Sequence, residues 1–300
     1  MRYLVTAPAS TANLGPGFDC VAAALTLDLS VIADDEADEA RIDVIGEGAQ
    51  AIPTDGSNLL VRAAEVVHGP LPPLHLRVRN HIPMGRGLGS SAAAIAAGVV
   101  LGTALSGRKP EPEEMLAAAC SLEPHPDNLA ACLYGGLVVA APSGGGTSVI
   151  RMDPARHIRP VLLVPEEHEL GTEQARSVLP QQVARPDAVS NVAWTAGLVA
   201  LLTGRTSADP RELLTCTQDR LHQDARAPLM PETARLLQRL REAGVAACVS
   251  GAGPSLVCLV TGSGEDVVRE VAEELAGWRL VVADWESRGA RVETIDGRLV

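Results

Sequence analysis

The chain has 300 residues, 46% of them hydrophobic, with three Trp, two Tyr, one Phe and a formal net charge of −12. That length holds one large domain or two ordinary ones, and the apolar content suits a buried core rather than a disordered chain. An acidic surface with few aromatics offers no basic footprint for nucleic acid or anionic lipid and no stacking platform for single strands.

In chain order, "RYLVTAP" reads as a strand that enters a turn at "STANLGPGFD", and "AALTLDLSVIA" continues as a half-buried strand. The run "DDEADEA" reads as a solvated loop. "DGSNLLVRAAEVVHG" has a Ser/Asn start and an apolar stripe, which predicts a helix ending at Gly69. "LHLRVRNHI" alternates as a strand and leads into "PMGRGLGSSAA" and a small-residue helix over 90–105. A helix over "EPEEMLAAACSLE" precedes the polar "PHPDN" and then "LAACLYGGLVVAA"; "SGGGTS" reads as a glycine hairpin and "PVLLVP" as a buried strand.

The pattern then changes. Helices are predicted over 187–204, 209–223 and 231–244, followed by strand "VAACVS", turn "GAGPS", strand "LVCLV", a helix over 265–277 and strand "RLVVADW". This order suits a split βαβ layer, and the composition shift near 145–160 marks the expected boundary.

The only lysine is Lys109, in a polar loop, so arginine clamps are available while lysine chemistry is nearly absent. The six cysteines form no C-x-x-C pair and read as small buried hydrophobes. "MRYLVTAPAS" lacks a signal-peptide layout, and the apolar run over 92–105 is short for a membrane span and interrupted by Gly98, Gly102 and Thr103. A soluble cytoplasmic protein is expected.

The loop over 83–92 fits none of three common phosphate-loop patterns. It has no Gly-Lys-Ser/Thr; Gly85, Gly87 and Gly89 give G-x-G-x-G rather than G-x-G-x-x-G; and a helix former follows where a protein-kinase loop joins two strands. What remains is strand, glycine turn, Ser90-Ser91 and helix. Glycines with positive φ let successive N–H groups face one concavity, and the helix end adds its dipole. That describes an anion site made of backbone. A bound triphosphate would still need a cation, and "SLEPHPDN" offers Glu123, His125, Asp127 and Asn128 nearby. Zinc is disfavoured because His125 has no second His or Cys at ligand spacing.

These motifs together resemble the GHMP small-molecule kinases, most closely the homoserine kinases: "PASTANLGPGFD", "PMGRGLGSSAA" and "VSGAGPSLVCLV" carry the likeness, with "HPDNLAACLYGG" and "GTEQAR" more particular to homoserine kinases. The resemblance implies an α+β fold with a ribosomal S5 domain 2-like N-terminal domain (1–152) and a ferredoxin-like C-terminal domain (153–300), with ATP in the cleft between. It implies ATP contacts from Pro83, Gly85, Arg86, Gly87, Leu88, Gly89, Ser90, Ser91, Ala92 and Ala93, with Asn58 lining the adenine pocket and Mg²⁺ held by Ser91 and Glu123. The implied amino-acid pocket is Asn13, Asp19, His125, Asn128, Thr172, Arg176 and Arg226. Two arginines suit a carboxylate, and Asp19 suits an ammonium group.

The implied reaction is ATP-dependent phosphorylation of the homoserine side-chain hydroxyl, on the route to threonine, by a cytoplasmic enzyme that resembles homodimeric relatives. Asp127 stands where related mevalonate-type enzymes place an aspartate, but no partner lysine is evident. Transfer by positioning and charge neutralisation is therefore expected, with Asn128 orienting the hydroxyl and Ser90 among the groups on the phosphate. His222 in "DRLHQDAR" reads as structural or as a support behind the site residues rather than as catalytic. The alternatives are a GHMP kinase for another hydroxylated amino acid and a silent nucleotide-binding regulator. Two departures from the family pattern bear on the acceptor. Pro124 replaces a glycine, and Asp224-Ala225 replace Pro-Tyr two residues before Arg226, where Asp224 either pairs with that arginine or faces the cleft.

Overall fold

The computed structural model describes residues 1–109, 111–204, 208–273 and 275–295, and they build two sheets. β1 (Arg2–Asn13) and β2 (Gly17–Asp34) form a long antiparallel ribbon. β3 (Arg41–Gly46), α1 (Leu59–His68) and β4 (His75–Asn80) follow, with β3 parallel to β4 and β4 paired to the far half of β2. α2 (Ser90–Leu105), α3 (Pro112–Cys120) and α4 (Pro126–Tyr134) come next. The hairpin of β5 (Leu137–Ser143) and β6 (Gly146–Met152) turns at Gly144 and Gly145 and pairs to the near half of β2.

The second sheet runs β10-β7-β9-β8, antiparallel throughout. Its members are β7 (Arg159–Pro165), β8 (Ala246–Val249), β9 (Leu256–Val260) and β10 (Trp278–Val282). Between β7 and β8 lie α5 (Thr172–Ser177), α6 (Arg185–Thr203), α7 (Pro210–Cys216), the short α8 (Gln223–Arg226) and α9 (Pro231–Glu242); α10 (Gly264–Glu273) links β9 to β10. β11 (Arg291–Ile295) then crosses back and pairs with β1, so the first sheet takes its edge strand from the end of the chain.

The core explains why the space between the sheets keeps its shape. One apolar cluster runs from Val5, Leu25 and Ile95 through Leu162 and Val164 to Cys248 and Val257, joining both sheets. A second, smaller cluster (Val161, Leu163, Leu236, Leu240, Val268) fills the other face of the second sheet. α2 is apolar on all sides because it is buried on nearly all sides. It crosses α1 so closely that a Cβ at Gly98 or Gly102 would overlap the carbonyl oxygens of Leu60 and Ala64. That contact locks the second half of α2 against α1.

Several elements differ from the sequence reading. The helix predicted over 209–223 stops at Cys216, because the Asp219 carboxylate takes the backbone N–H groups of Leu221, His222 and Gln223 and turns the chain into α8. The helix predicted over 265–277 is assigned only through Glu273. β3, α4 and β11 had no forecast. All six cysteines are free. Among the described residues no helix is long and apolar enough to cross a membrane.

Candidate active site

A cleft of about 810 Å³ lies between the sheets, walled by the turn after β4, the start of α2, the segment before and into α4, the β1–β2 turn, α5, α8 and the β8–β9 turn. Gly85, Gly87 and Gly89 all have positive φ (64°, 71° and 69°), as the alternating glycines predict. The loop carbonyls face the protein: Gly85 O accepts from Leu170 N at 2.9 Å, Gly87 O from Ser250 Oγ at 2.7 Å and Leu88 O from Ser10 N at 3.1 Å. Among the described residues, no acceptor takes the backbone N–H groups of Gly87 to Ser91. Gly89, left-handed, is the N-cap of α2, and no side chain caps the helix. Ser90 and Ser91 are therefore the first helical residues rather than the cap. The outcome is a helix end with unspent donors and the positive pole of its dipole open to the cleft.

These glycines also answer to packing. A Cβ at Gly87 would overlap the Ser250 carbonyl oxygen, and one at Gly89 would overlap Ser10 Oγ. Strand β1 and the β8–β9 turn thus press directly against the loop. Arg86 lines the cleft, yet its guanidinium is committed elsewhere. Nε donates to Pro165 O at 2.7 Å, Nη1 to Met84 O at 2.6 Å and Nη2 to Glu166 O, and Nη1 lies 3.1 Å from Glu169. It fastens the loop to the end of β7.

On the facing wall, Pro126 opens α4, a favoured first helical residue. Glu123 accepts from His125 Nδ1 and, at 3.3 Å, from the His125 backbone N–H. Asn128 Oδ1 accepts from the buried Ser10 Oγ at 2.8 Å, which leaves its amide NH₂ unspent. Asp127 is 2% exposed, and burial pushes its carboxyl from 3.8 up to about 6, against the partial relief of the Asn128 N–H.

At the other end, Asn13 (φ 68°) and Asp19 (φ 55°) sit in the left-handed region, a strained conformation for non-glycine residues that the surrounding bonds enforce. Asn13 Nδ2 donates to Gly251 O at 2.7 Å, and its Oδ1 accepts from Asp19 N at 3.0 Å. Arg176 grips Asp19 through two bonds, at 3.0 and 2.6 Å. Arg226 is 2% exposed, and its acceptors are all neutral: Ala175 O at 3.1 Å, Gly251 O at 3.2 Å and His222 Nδ1 at 3.1 Å. Burial, and then Arg176 beside it, pull the Arg226 guanidinium down to about 10.

The cleft gathers Asn13, Asp19, Pro83, Gly85 through Ala92, Glu123, His125, Asp127, Asn128, Thr172, Arg176 and Arg226. Two of the residues named from the sequence stand outside its lining. Ala93 is wholly buried beneath it. Asn58 caps α1, with Oδ1 accepting from Leu60 N and Nδ2 donating to Pro53 O, so both ends of its amide are spent. Ala12, Leu170, Gly251 and Ala252 also line the cleft and went unread. Ser10 and Phe18 went unread as well. Phe18 is the chain's only phenylalanine, set in the polar turn "NLGPGFD", and that isolation was the available signal. Asp224 is exposed and lines a separate groove with Met230, Leu237 and Arg241, so it neither faces the cleft nor pairs with Arg226. Lys109 lies in another surface groove.

Residues 58–136 match the family model described as GHMP kinases N terminal domain, and residues 199–277 match GHMP kinases C terminal. The chain belongs to the GHMP kinases. ATP is the phosphoryl donor in this family, and the two-domain α+β fold is the family's. A homoserine kinase of Streptomyces avermitilis is 42% identical over 295 residues, 96% of this chain and 94% of that one. A homoserine kinase of Clavibacter michiganensis is 42% identical over 306 residues, 98% and 95% of the two chains. The crystal structure of homoserine kinase from Cytophaga hutchinsonii superposes with a TM-score of 0.83 at 27% identity, covering 97% of each chain.

Proposed function

We propose that this GHMP kinase transfers the γ-phosphoryl group of ATP to the side-chain hydroxyl of L-homoserine, giving O-phospho-L-homoserine for threonine synthesis in the cytoplasm. The observation that carries the reading is the pairing of two unlike ends in one cleft. An uncapped helix terminus with free amides suits a triphosphate, while a carboxylate and two guanidinium groups suit a zwitterionic amino acid. The full-length likeness to homoserine kinases supports the same acceptor.

In this reading the N–H groups of Gly87 to Ser91 hold the phosphates. Asp19 takes the substrate ammonium, and Arg176 and Arg226 take its carboxylate. Asn128, held by Ser10, orients the hydroxyl. Ser91 and Glu123 offer hard oxygen donors from facing walls of one cleft, which fits Mg²⁺ bound through one or two protein oxygens with phosphate and water completing its shell. The ion would neutralise phosphate charge. No lysine lines the cleft to pair with Asp127, so positioning and charge neutralisation carry the transfer.

Asp224, exposed in a separate groove, leaves this assignment standing. Asp224 adds no charge to the acceptor end, and no second cationic group on the substrate is called for. A coupled assay with ATP and Mg²⁺ across homoserine, threonine, serine and longer hydroxylated amino acids tests the reading. Homoserine should lead by kcat/KM, and preference for another acceptor would overturn it. ATP binding without transfer to any acceptor would instead mark a silent regulator.

A further inference from the structure

We propose that His222 is a positioning residue that aims the Arg226 guanidinium at the acceptor carboxylate while leaving it free of any bonded protein carboxylate. This rests on the homoserine reading above. His222 is 1% exposed and N-terminal to the four-residue α8. Its Nδ1 lies 3.1 Å from Arg226 Nη1 and its Nε2 lies 2.9 Å from Gly15 O. A guanidinium has only donors, so Nδ1 must be the bare nitrogen and Nε2 must carry the proton that Gly15 O accepts. The ring is therefore neutral, and burial together with the nearby Arg226 holds its pKa below the usual histidine range.

The charged groups around the ring agree with that state. Asp219 Oδ1 is 3.7 Å from Nε2, but this carboxylate is already engaged by the N–H groups of Leu221, His222 and Gln223 and by Asn191 Nδ2. Asp19 faces the ring from the β1–β2 turn, bound to Arg176. Arg226 is the remaining neighbour. Phe18 completes the support, stacked on the imidazole at 5.0 Å and 24°, with Arg226 Cζ 5.4 Å and Arg176 Cζ 5.7 Å from its centroid.

The choice of residue type follows from the chemistry. A carboxylate at this position would hold Arg226 equally well but would neutralise it, removing its pull on a substrate carboxylate. A protonated imidazole would add a third cation beside Arg176 and Arg226. A neutral acceptor spends one guanidinium nitrogen and keeps the whole charge. Arg176, by contrast, is paired with Asp19, while Arg226 has no carboxylate bonded to it among the described residues, Asp19 and Asp219 acting on it only from beyond hydrogen-bond reach.

The test compares homoserine with 3-aminopropan-1-ol, which keeps the hydroxyl and ammonium but lacks the carboxylate, using the full chain with saturating ATP and Mg²⁺. Wild-type protein should favour homoserine strongly. His222→Leu should raise the KM for homoserine roughly 30-fold, by the worth of a charge-assisted bond. The KM for ATP, and kcat/KM for the aminoalcohol, should stay within about threefold. His222→Gln, whose amide can accept from Arg226 and donate to Gly15 O, should recover most of the loss. Should His222→Leu fail to fold, Phe18→Leu should erode the same preference for homoserine. Equal losses on both acceptors, or a matching loss on ATP, would mean a merely structural histidine and overturn the proposal. A wild-type enzyme that phosphorylates both acceptors equally well would overturn it too, while leaving homoserine phosphorylation standing. Failure of the wild type on homoserine sinks the functional reading itself and is seen before any variant is made.

Discussion

The two ends of the cleft are built by opposite means. The donor end is backbone: three left-handed glycines, carbonyls turned into the protein and an uncapped helix, all within residues 83–92. The acceptor end is side chain: Asn13, Asp19, Arg176 and Arg226, held by the Gly251 carbonyl and by a buried polar network through Asn191, Asp219 and His222. An amide cradle suits a ligand common to many enzymes, because its dipoles are fixed by the chain path and need no particular side chain. Recognition of one amino acid needs placed charges, and these must be carried by residues distant in sequence. The cost is a set of buried polar groups that all have to be satisfied.

This contrast predicts where single substitutions act. Arg226→Met should have the largest effect, because it deletes a guanidinium that no carboxylate of the cleft is bonded to, takes the side-chain donor from Ala175 O and leaves Gly251 O only its bond from Asn13. We expect kcat/KM for homoserine to fall by about 1,000-fold, from the loss of two charge-assisted bonds, with nucleotide affinity measured by calorimetry changing less than about threefold. Gly87→Ala should invert that pattern. Its φ of 71° and the Ser250 carbonyl both oppose a Cβ, and strain of about 2 kcal/mol should weaken ATP binding by roughly 30-fold. Homoserine recognition should persist once nucleotide is raised to saturation. If each variant harms both ligands equally, the two ends are one unit and the contrast is wrong.

The same contrast accounts for what could be read from the sequence. The donor end was legible because its determinants are contiguous: glycine spacing and paired serines announce positive φ and a helix start within ten residues. Even so, the role of Arg86 was not, since its partners Pro165 and Glu166 are some 80 positions away. The acceptor residues came from family likeness rather than from spacing, and nothing local marks Arg226 as buried or His222 as its acceptor. β11 escaped for a similar reason, because a short polar-flanked strand gains its meaning only from pairing with β1. The helix through 209–223 was misjudged because an apolar stripe cannot show that Asp219 will take three N–H groups and end it. Asn58 was assigned to a pocket by likeness, whereas its packing puts Oδ1 on the cap of α1 and Nδ2 on Pro53 O.

Smaller effects sharpen the comparison. Because the donor end relies on amides, Ser90→Ala should cost no more than about tenfold in kcat/KM for ATP, the net worth of one neutral hydrogen bond. A loss of 1,000-fold would show that a hydroxyl, not the backbone, carries the site.

Asp127→Asn should reduce turnover least, and here pH separates two roles. Its folded pKa of about 6 lies above the unfolded value of 3.8, so the folded state holds the proton more tightly. Stability should therefore fall as pH rises from 3.8 to about 6 and stay reduced above that, by about 3 kcal/mol. The asparagine variant, which cannot ionise, should melt higher than the wild type at pH 7.5 and close to it at pH 4. Its activity at pH 7.5 should stay within about tenfold of wild type if transfer needs no base. A general base would instead make wild-type kcat decline tenfold per unit below pH 6, and would make Asp127→Asn as damaging as Glu123→Ala. The absence of any lysine along the cleft, together with an Asp127 carboxylate bonded to the Asn128 N–H, favours the first outcome.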